Sequence, residues 1–193
     1  MSLELIMGPM FSGKTSHVLA LAGRYASIGR RVLVVNHALD SRYANANEIV
    51  THSGEHIPCF TTDTLNALTE DFLRPFQVII IDEAQFFEGL VPLVEFVVDT
   101  LGKKLYLVGL NGTSERAPFG EIARCIPHAD SITLLSALCA GCRDGTPAHF
   151  SRRKFPSPQQ IVIGGSSMYE PVCRECQATP FAAPALRPVR SPE

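Results

Sequence analysis

Short apolar runs separated by helical periodicity organise most of this chain. Leu3 to Met7 is one such run, closed by Gly8-Pro9, and it predicts a buried strand. Thr15 to Ile28 follows with apolar residues at helical spacing, and Gly29 stops that helix. Arg31 to Asn36, the run Val78-Ile79-Ile80-Ile81 before Asp82, and Leu105 to Val108 predict three further strands. Between the last two, the apolar positions of Leu90 to Leu101 recur every three or four residues, which predicts a crossover helix. Strands apolar on both faces and alternating with helices are the pattern of a parallel sheet covered on each side, so the expected fold class is α/β.

From about Leu138 the texture changes to short stretches bounded by Gly, Pro and Cys, with strand-like segments near His149–Lys154 and Gln160–Ile163. The expected organisation is an α/β domain over 1–137, a small cysteine-bearing unit over 138–179, and a Pro-rich tail over 180–193 with no apolar periodicity, expected to be disordered.

Composition narrows the function classes. The 193 residues are 46% hydrophobic and carry a formal charge of −2, with no long run of Lys or Arg. Such a surface offers no basic field for a nucleic-acid backbone, so polymeric DNA or RNA is not an expected partner. No stretch of eighteen apolar residues and no signal-type N-terminus is present, so no membrane partner is expected and the expected location is the cytoplasm.

The first chemical motif is Gly8-Pro9-Met10-Phe11-Ser12-Gly13-Lys14-Thr15, which fits G-x-x-x-x-G-K-[ST] between a predicted strand and a predicted helix. Phosphate chemistry requires these types. Gly13 lets backbone N–H groups close round the phosphates, Lys14 neutralises β/γ charge, Thr15 offers a hydroxyl to Mg2+, and the helix presents its N-terminal dipole. ATP and Mg2+ are therefore the expected cofactors. The second motif is Asp82-Glu83 at the end of an apolar strand. A carboxylate there faces the ligand crevice, which makes Asp82 the magnesium-side residue. For Glu83, position alone leaves three roles open: a helper behind the metal, a helix-start acid, or a general base.

Cys139-Ala-Gly-Cys142 and Cys173-Arg-Glu-Cys176 are paired thiols thirty residues apart. In a reducing compartment such pairs point to one structural Zn2+ closing a loop at its base; a redox pair or unligated thiols are the alternatives. Four cysteine ligands leave no position for water or substrate. His149, inside the loop, reads as a surface histidine, while Cys59 and Cys125 read as buried thiols.

The phosphate loop with Pro-Met-Phe inside it, taken with Asp82-Glu83-Ala84-Gln85-Phe86-Phe87, resembles the type II (zinc-containing) thymidine kinase family. Further blocks agree in order: Asp40-Ser41-Arg42-Tyr43, Thr51-His52-Ser53-Gly54, Gly109-Leu110-Asn111-Gly112, Arg116-Ala117-Pro118-Phe119-Gly120, both cysteine pairs, and Gly164-Gly165 with Tyr169. The resemblance covers about Leu3 to Cys176. It implies a RecA-like P-loop sheet with a zinc-anchored lasso, and transfer of the ATP γ-phosphoryl group to the 5′-hydroxyl of thymidine or deoxyuridine. It implies Glu83 as general base, Lys14 and Arg42 at the phosphates, and Gln85 with Asp82 on the ATP and Mg2+ side. For the nucleoside it implies Met10, Asp40, Arg42, Phe86, Leu110 and Phe119, with Ser151, Val162, Gly164 and Tyr169 of the lasso reading the base. It also implies a homotetramer. Ser114 stands where many members carry an aromatic residue, and Ser167 where an acidic one is common; both bear on acceptor selectivity rather than on phosphoryl transfer. The competing readings are a zinc-ribbon P-loop ATPase acting on DNA or a protein partner, and a catalytically silent nucleotide-binding subunit.

Overall fold

The computed structural model describes residues 1–40, 48–50, 55–155 and 167–178. The expected strand at Gln160–Ile163 and the expected tail lie outside the described residues. In chain order the strands are β1 (Ser2–Gly8), β2 (Val32–His37), the hairpin β3 (Glu48–Val50) and β4 (His56–Pro58), β5 (Phe60–Thr62), β6 (Val78–Ile81), β7 (Lys104–Leu110) and β8 (Ser131–Leu134). Six of them form one sheet in the order β5-β2-β6-β7-β1-β8, and every neighbouring pair is parallel. The α/β class read from the sequence is the observed one.

Period-two alternation explains how the sheet is buried on both faces. Leu3, Leu5 and Met7 of β1, Leu33 and Val35 of β2, Ile79 and Ile81 of β6, and Leu105 and Leu107 of β7 point to one side. There they pack against Leu90, Leu93, Val94, Val97 and Val98 of the crossover segment and against Phe87. Ile6, Val34, Ile80, Tyr106 and Val108 point to the other side and meet Val18, Leu21 and Ala22 of helix α1 (Lys14–Ser27). Each such fully buried aliphatic side chain contributes about 1.5–3 kcal/mol relative to exposure.

Two departures from the sequence pattern have local causes. The crossover is α-helical only over Leu90–Val94, and Glu95–Thr100 continues as a wider π turn in which the Leu101 N–H reaches the Phe96 carbonyl at 2.9 Å. Three- and four-residue apolar spacing does not distinguish these windings. β8 is an edge strand whose four residues are all exposed, so it carries no buried apolar run to announce it. It is held to β1 by its ladder, and just before it the Asp130 carboxylate accepts the Leu3 N–H at 2.7 Å.

Beyond β8 the chain forms two small antiparallel ribbons, β9 (Ala137–Leu138) with β10 (Pro147–Ala148) and β11 (Phe150–Arg153) with β12 (Tyr169–Val172), before helix α2 (Arg174–Ala178). Ala137, Cys139, Ala148, Val172 and Cys173 make a separate small core. An ion pair within the second ribbon, Arg152 to Glu170 at 2.7 Å, is partly buried, and the same guanidinium donates to the Cys176 carbonyl.

Candidate functional site

The parallel sheet brings the motif residues to one edge, the C-terminal ends of its strands, where open α/β sheets bind ligands. Register does this directly. β1 and β7 pair from Ser2 with Lys104 to Gly8 with Leu110, so the first phosphate-loop glycine lies beside Leu110. Ile81 of β6 pairs with Val35 of β2 and Leu107 of β7, which carries Asp82 to the same edge.

The phosphate loop is wound tightly. Phe11 and Gly13 both have positive φ, at 65° and 80°, and Gly13 caps α1 from that left-handed conformation. Ser12 Oγ donates to the Pro9 carbonyl at 2.8 Å. Lys14 is buried, and its Nζ donates to the carbonyls of Gly8 at 3.2 Å and Pro9 at 2.7 Å. An ammonium held over the loop by carbonyl oxygens is placed to exchange them for the more strongly charged phosphate oxygens. Thr15 follows in the first turn of α1.

Asp82 is 1% exposed, and its Oδ1 accepts the Glu83 N–H at 2.9 Å. Glu83 is also buried and has φ of 52°, a left-handed conformation that costs a non-glycine residue about 1–2 kcal/mol. Backbone strain of this kind gathers at functional sites, where the surrounding structure imposes it. Here it turns Glu83 off the end of β6 into a short 3₁₀ turn, Ala84–Phe86. Gln85, 2% exposed, donates from Nε2 to Glu83 Oε2 at 2.5 Å and accepts the Leu110 N–H on Oε1 at 2.9 Å.

An aromatic group lies alongside. The Phe86 ring meets Phe119 edge-on at 5.4 Å, and His37 packs on Phe86 at 5.6 Å and Phe87 at 4.5 Å. Burial lowers the His37 pKa below its ordinary value against the opposing pull of Asp63 and Glu83, and its Nδ1 accepts the Leu39 N–H at 3.0 Å. Burial thus favours the neutral ring. Asp40 closes the β2 turn, its carboxylate accepting from Asn36 Nδ2 at 3.1 Å.

The cysteine unit sits on the phosphate loop. Ser151 Oγ accepts the Met10 N–H at 2.9 Å, Phe11 packs against the small core of the unit, and Asn111 donates to the His149 carbonyl at 3.1 Å. From α2, Gln177 donates to the Ser114 carbonyl at 3.0 Å. Tyr169 is on β12 under the Arg153 guanidinium, 5.8 Å from the ring centroid. Arg42, Val162 and Gly164 lie outside the described residues.

The thiols of Cys139, Cys142, Cys173 and Cys176 converge, all four sulfurs within 4.8 Å of one another. Cys142 Sγ is 3.7 Å from Cys173 Sγ and 3.6 Å from Cys176 Sγ. Tetrahedral Zn–S bonds of about 2.3 Å require sulfurs about 3.8 Å apart, so the donor set fits zinc in both chemistry and spacing. Burial opposes the Cys139 thiolate, yet N–H groups of Cys173, Cys142 and Gly141 bring its pKa down to about 7. Of the two remaining thiols, Cys125 is buried as expected, whereas Cys59 is only half-buried beside Thr61.

Sequence reasoning did not single out His37 as part of the aromatic group, nor Gly109 and Gly120 as the clearance around Gln85. A Cβ on Gly109 would lie 2.5 Å from Gln85 Oε1, and one on Gly120 only 2.1 Å from the Gln85 carbonyl oxygen. The available signal was a glycine in each of the Gly109-Leu110-Asn111-Gly112 and Pro118-Phe119-Gly120 blocks.

Comparison with known proteins agrees with this assembly. The family model described as thymidine kinase matches residues 1–177. Thymidine kinase a of Arabidopsis thaliana is 39% identical over 178 residues, 90% of this chain and 74% of the plant protein. The thymidine kinase of Myxoma virus (strain Uriarra) is 38% identical over 90% of this chain and 94% of the viral one. That of Choristoneura fumiferana entomopoxvirus is 36% identical over 91% and 96%. A phosphate loop, an acidic strand end and a four-cysteine unit thus occur together in a chain matched along nearly its whole length, and the chain belongs to the thymidine kinase family.

Proposed function

We propose that this protein phosphorylates thymidine at the 5′-hydroxyl, with ATP as donor, in the salvage of pyrimidine deoxynucleotides for DNA synthesis. The observation that carries the reading is the register of β1 with β7. It sets the phosphate loop beside Leu110, with the buried Glu83 and the Phe86–Phe119 pair at the same sheet edge. A flat pyrimidine needs apolar and aromatic walls next to a phosphoryl donor, and Met10, Leu110, Phe86 and Phe119 supply them.

In this reading Glu83 accepts the proton of the 5′-hydroxyl as its oxygen bonds to the γ-phosphorus. The bond from that phosphorus to the β–γ bridging oxygen breaks, leaving ADP and thymidine monophosphate. Lys14 moves from the loop carbonyls to the β/γ oxygens, and the first N–H groups of α1 hold the remaining charge. Thr15 and Asp82 would hold Mg2+, which when bound neutralises charge developing on the transferring group. Arg42 and Asp40 are assigned to the phosphate end by motif. The four cysteines would hold Zn2+ as a staple, and Ser151, Val162, Gly164 and Tyr169 are assigned to reading the base by family likeness.

Assembly as a homotetramer is part of the proposal by family likeness. A cytoplasmic location suits four thiolates that must stay reduced. No helix among the described residues is long and apolar enough to cross a membrane.

The test is turnover of labelled thymidine with ATP and Mg2+. Wild-type protein forms thymidine monophosphate, and Glu83→Gln lowers kcat by about 10²–10⁴-fold while still binding ATP. Absence of product from the zinc-loaded wild type defeats the proposal.

A further inference from the structure

Gln85 has a position that phosphate binding does not explain. Both ends of its amide are engaged within the protein, Nε2 on the Glu83 carboxylate at 2.5 Å and Oε1 on the Leu110 N–H at 2.9 Å. The side chain is 2% exposed. Gly109 admits the amide only by lacking a Cβ, which would lie 2.5 Å from Oε1, and Gly120 in the same way admits the Gln85 backbone, whose carbonyl oxygen would lie 2.1 Å from a Cβ there. A side chain with three rotatable bonds is thereby held in one rotamer by its two amide contacts. The orientation it imposes falls on two groups at once, the carboxylate that receives the proton and the backbone of the residue that walls the nucleoside.

We infer that Gln85 is a positioning residue: its amide fixes the Glu83 carboxylate and ties it to Leu110, so that the proton acceptor and the nucleoside wall keep one geometry. This rests on Glu83 being the base. Gln85 then acts on the acceptor side of the reaction, through Glu83 and Leu110.

The experiment compares wild type, Gln85→Leu, Gln85→Glu and Glu83→Gln in zinc-loaded, full-length protein. The measurements are steady-state rates from pH 5 to 9, binding of a fluorescent ATP analogue, and thermal unfolding. Gln85→Leu lowers kcat for thymidine by about 10–100-fold, in the manner of partners that orient a working ligand, with ATP affinity within about threefold of wild type. Gln85→Glu keeps the acceptor for Leu110 but places a second carboxyl against Glu83. The pair then shares a proton, and the acidic limb of the kcat/KM profile moves to higher pH by at least one unit. An unmoved limb would mean that the side chain at position 85 does not face the Glu83 carboxylate in the working enzyme.

If Gln85→Leu does not fold, the acidic limb of Gln85→Glu decides alone. An unmoved limb, or a Gln85→Leu enzyme with wild-type kcat, overturns the inference while an inactive Glu83→Gln upholds the base. An active Glu83→Gln overturns the base and this inference with it.

Discussion

Gly120 and Gly102 allow the tightness around Gln85 to be measured against an internal control. Both glycines are left-handed, with φ of 57° and 64°. An alanine at either position loses about 1–2 kcal/mol to that conformation. They differ in what a new methyl would meet. At Gly102 nothing described lies within 4 Å, whereas at Gly120 the methyl would stand 2.1 Å from the Gln85 carbonyl oxygen, 3.0 Å from its carbon and 3.3 Å from its Cα. Those atoms are backbone, so they cannot yield by a rotamer change, and forced overpacking costs about 1–3 kcal/mol more. Gly120→Ala should therefore destabilise by about 2–5 kcal/mol and Gly102→Ala by about 1–2. The assay is equilibrium urea unfolding at one protein concentration, because any self-association would shift both midpoints. The folded fraction of Gly120→Ala should also lose kcat, since the Gln85 backbone is what moves. A Gly120→Ala protein no less stable than Gly102→Ala would refute the account of a closed socket around Gln85.

Two other outcomes follow from the geometry. Removing zinc with a chelator should lower Tm and weaken binding of a fluorescent ATP analogue, because Phe11 and Met10 of the phosphate loop rest on the cysteine unit; unchanged nucleotide affinity after demonstrated metal loss would disprove that dependence. His37 has its pKa lowered by burial, so the unfolded chain binds its proton more readily, and the stability it contributes is fully present above pH 6.5 and lost as pH falls through the lower folded value. Urea midpoints of wild type should therefore fall between pH 7.5 and 5.5 more steeply than those of His37→Gln, and parallel slopes would show that His37 is not the titrating group.

The sequence made legible those parts of the site whose chemistry is local. A glycine-rich loop must be written next to the strand and helix it joins, and Asp82 must directly follow its apolar strand, so both read from a few consecutive residues. Two C-x-x-C pairs likewise declare themselves by spacing. What did not read was set by long-range docking. Ser151 reaches Met10 across 141 positions, and nothing near either residue encodes the meeting. β8 was invisible because an edge strand exposed along its length needs no apolar run. The partners of the Gln85 amide follow from how β7 and the 118–120 turn close on the Ala84–Phe86 turn, which periodicity cannot report.

These long-range contacts also bear on why a kinase rather than a plain ATPase is built here. A phosphate loop flanked only by solvent would deliver the γ-phosphoryl group to water. In this fold Phe11 faces the cysteine unit, Met10 is held by Ser151, and Leu110 is bound through Gln85 to Glu83. One side of the loop is thus capped by the four-cysteine ribbons and the other by the wall that would meet the nucleoside. Excluding water both suppresses hydrolysis and strengthens the charges acting on the transferred group. Glu83 and Leu110 share one amide, so under the proposed roles displacing the nucleoside wall would displace the base. An acceptor that seats poorly against Leu110 and Phe86 should then lose kcat together with affinity.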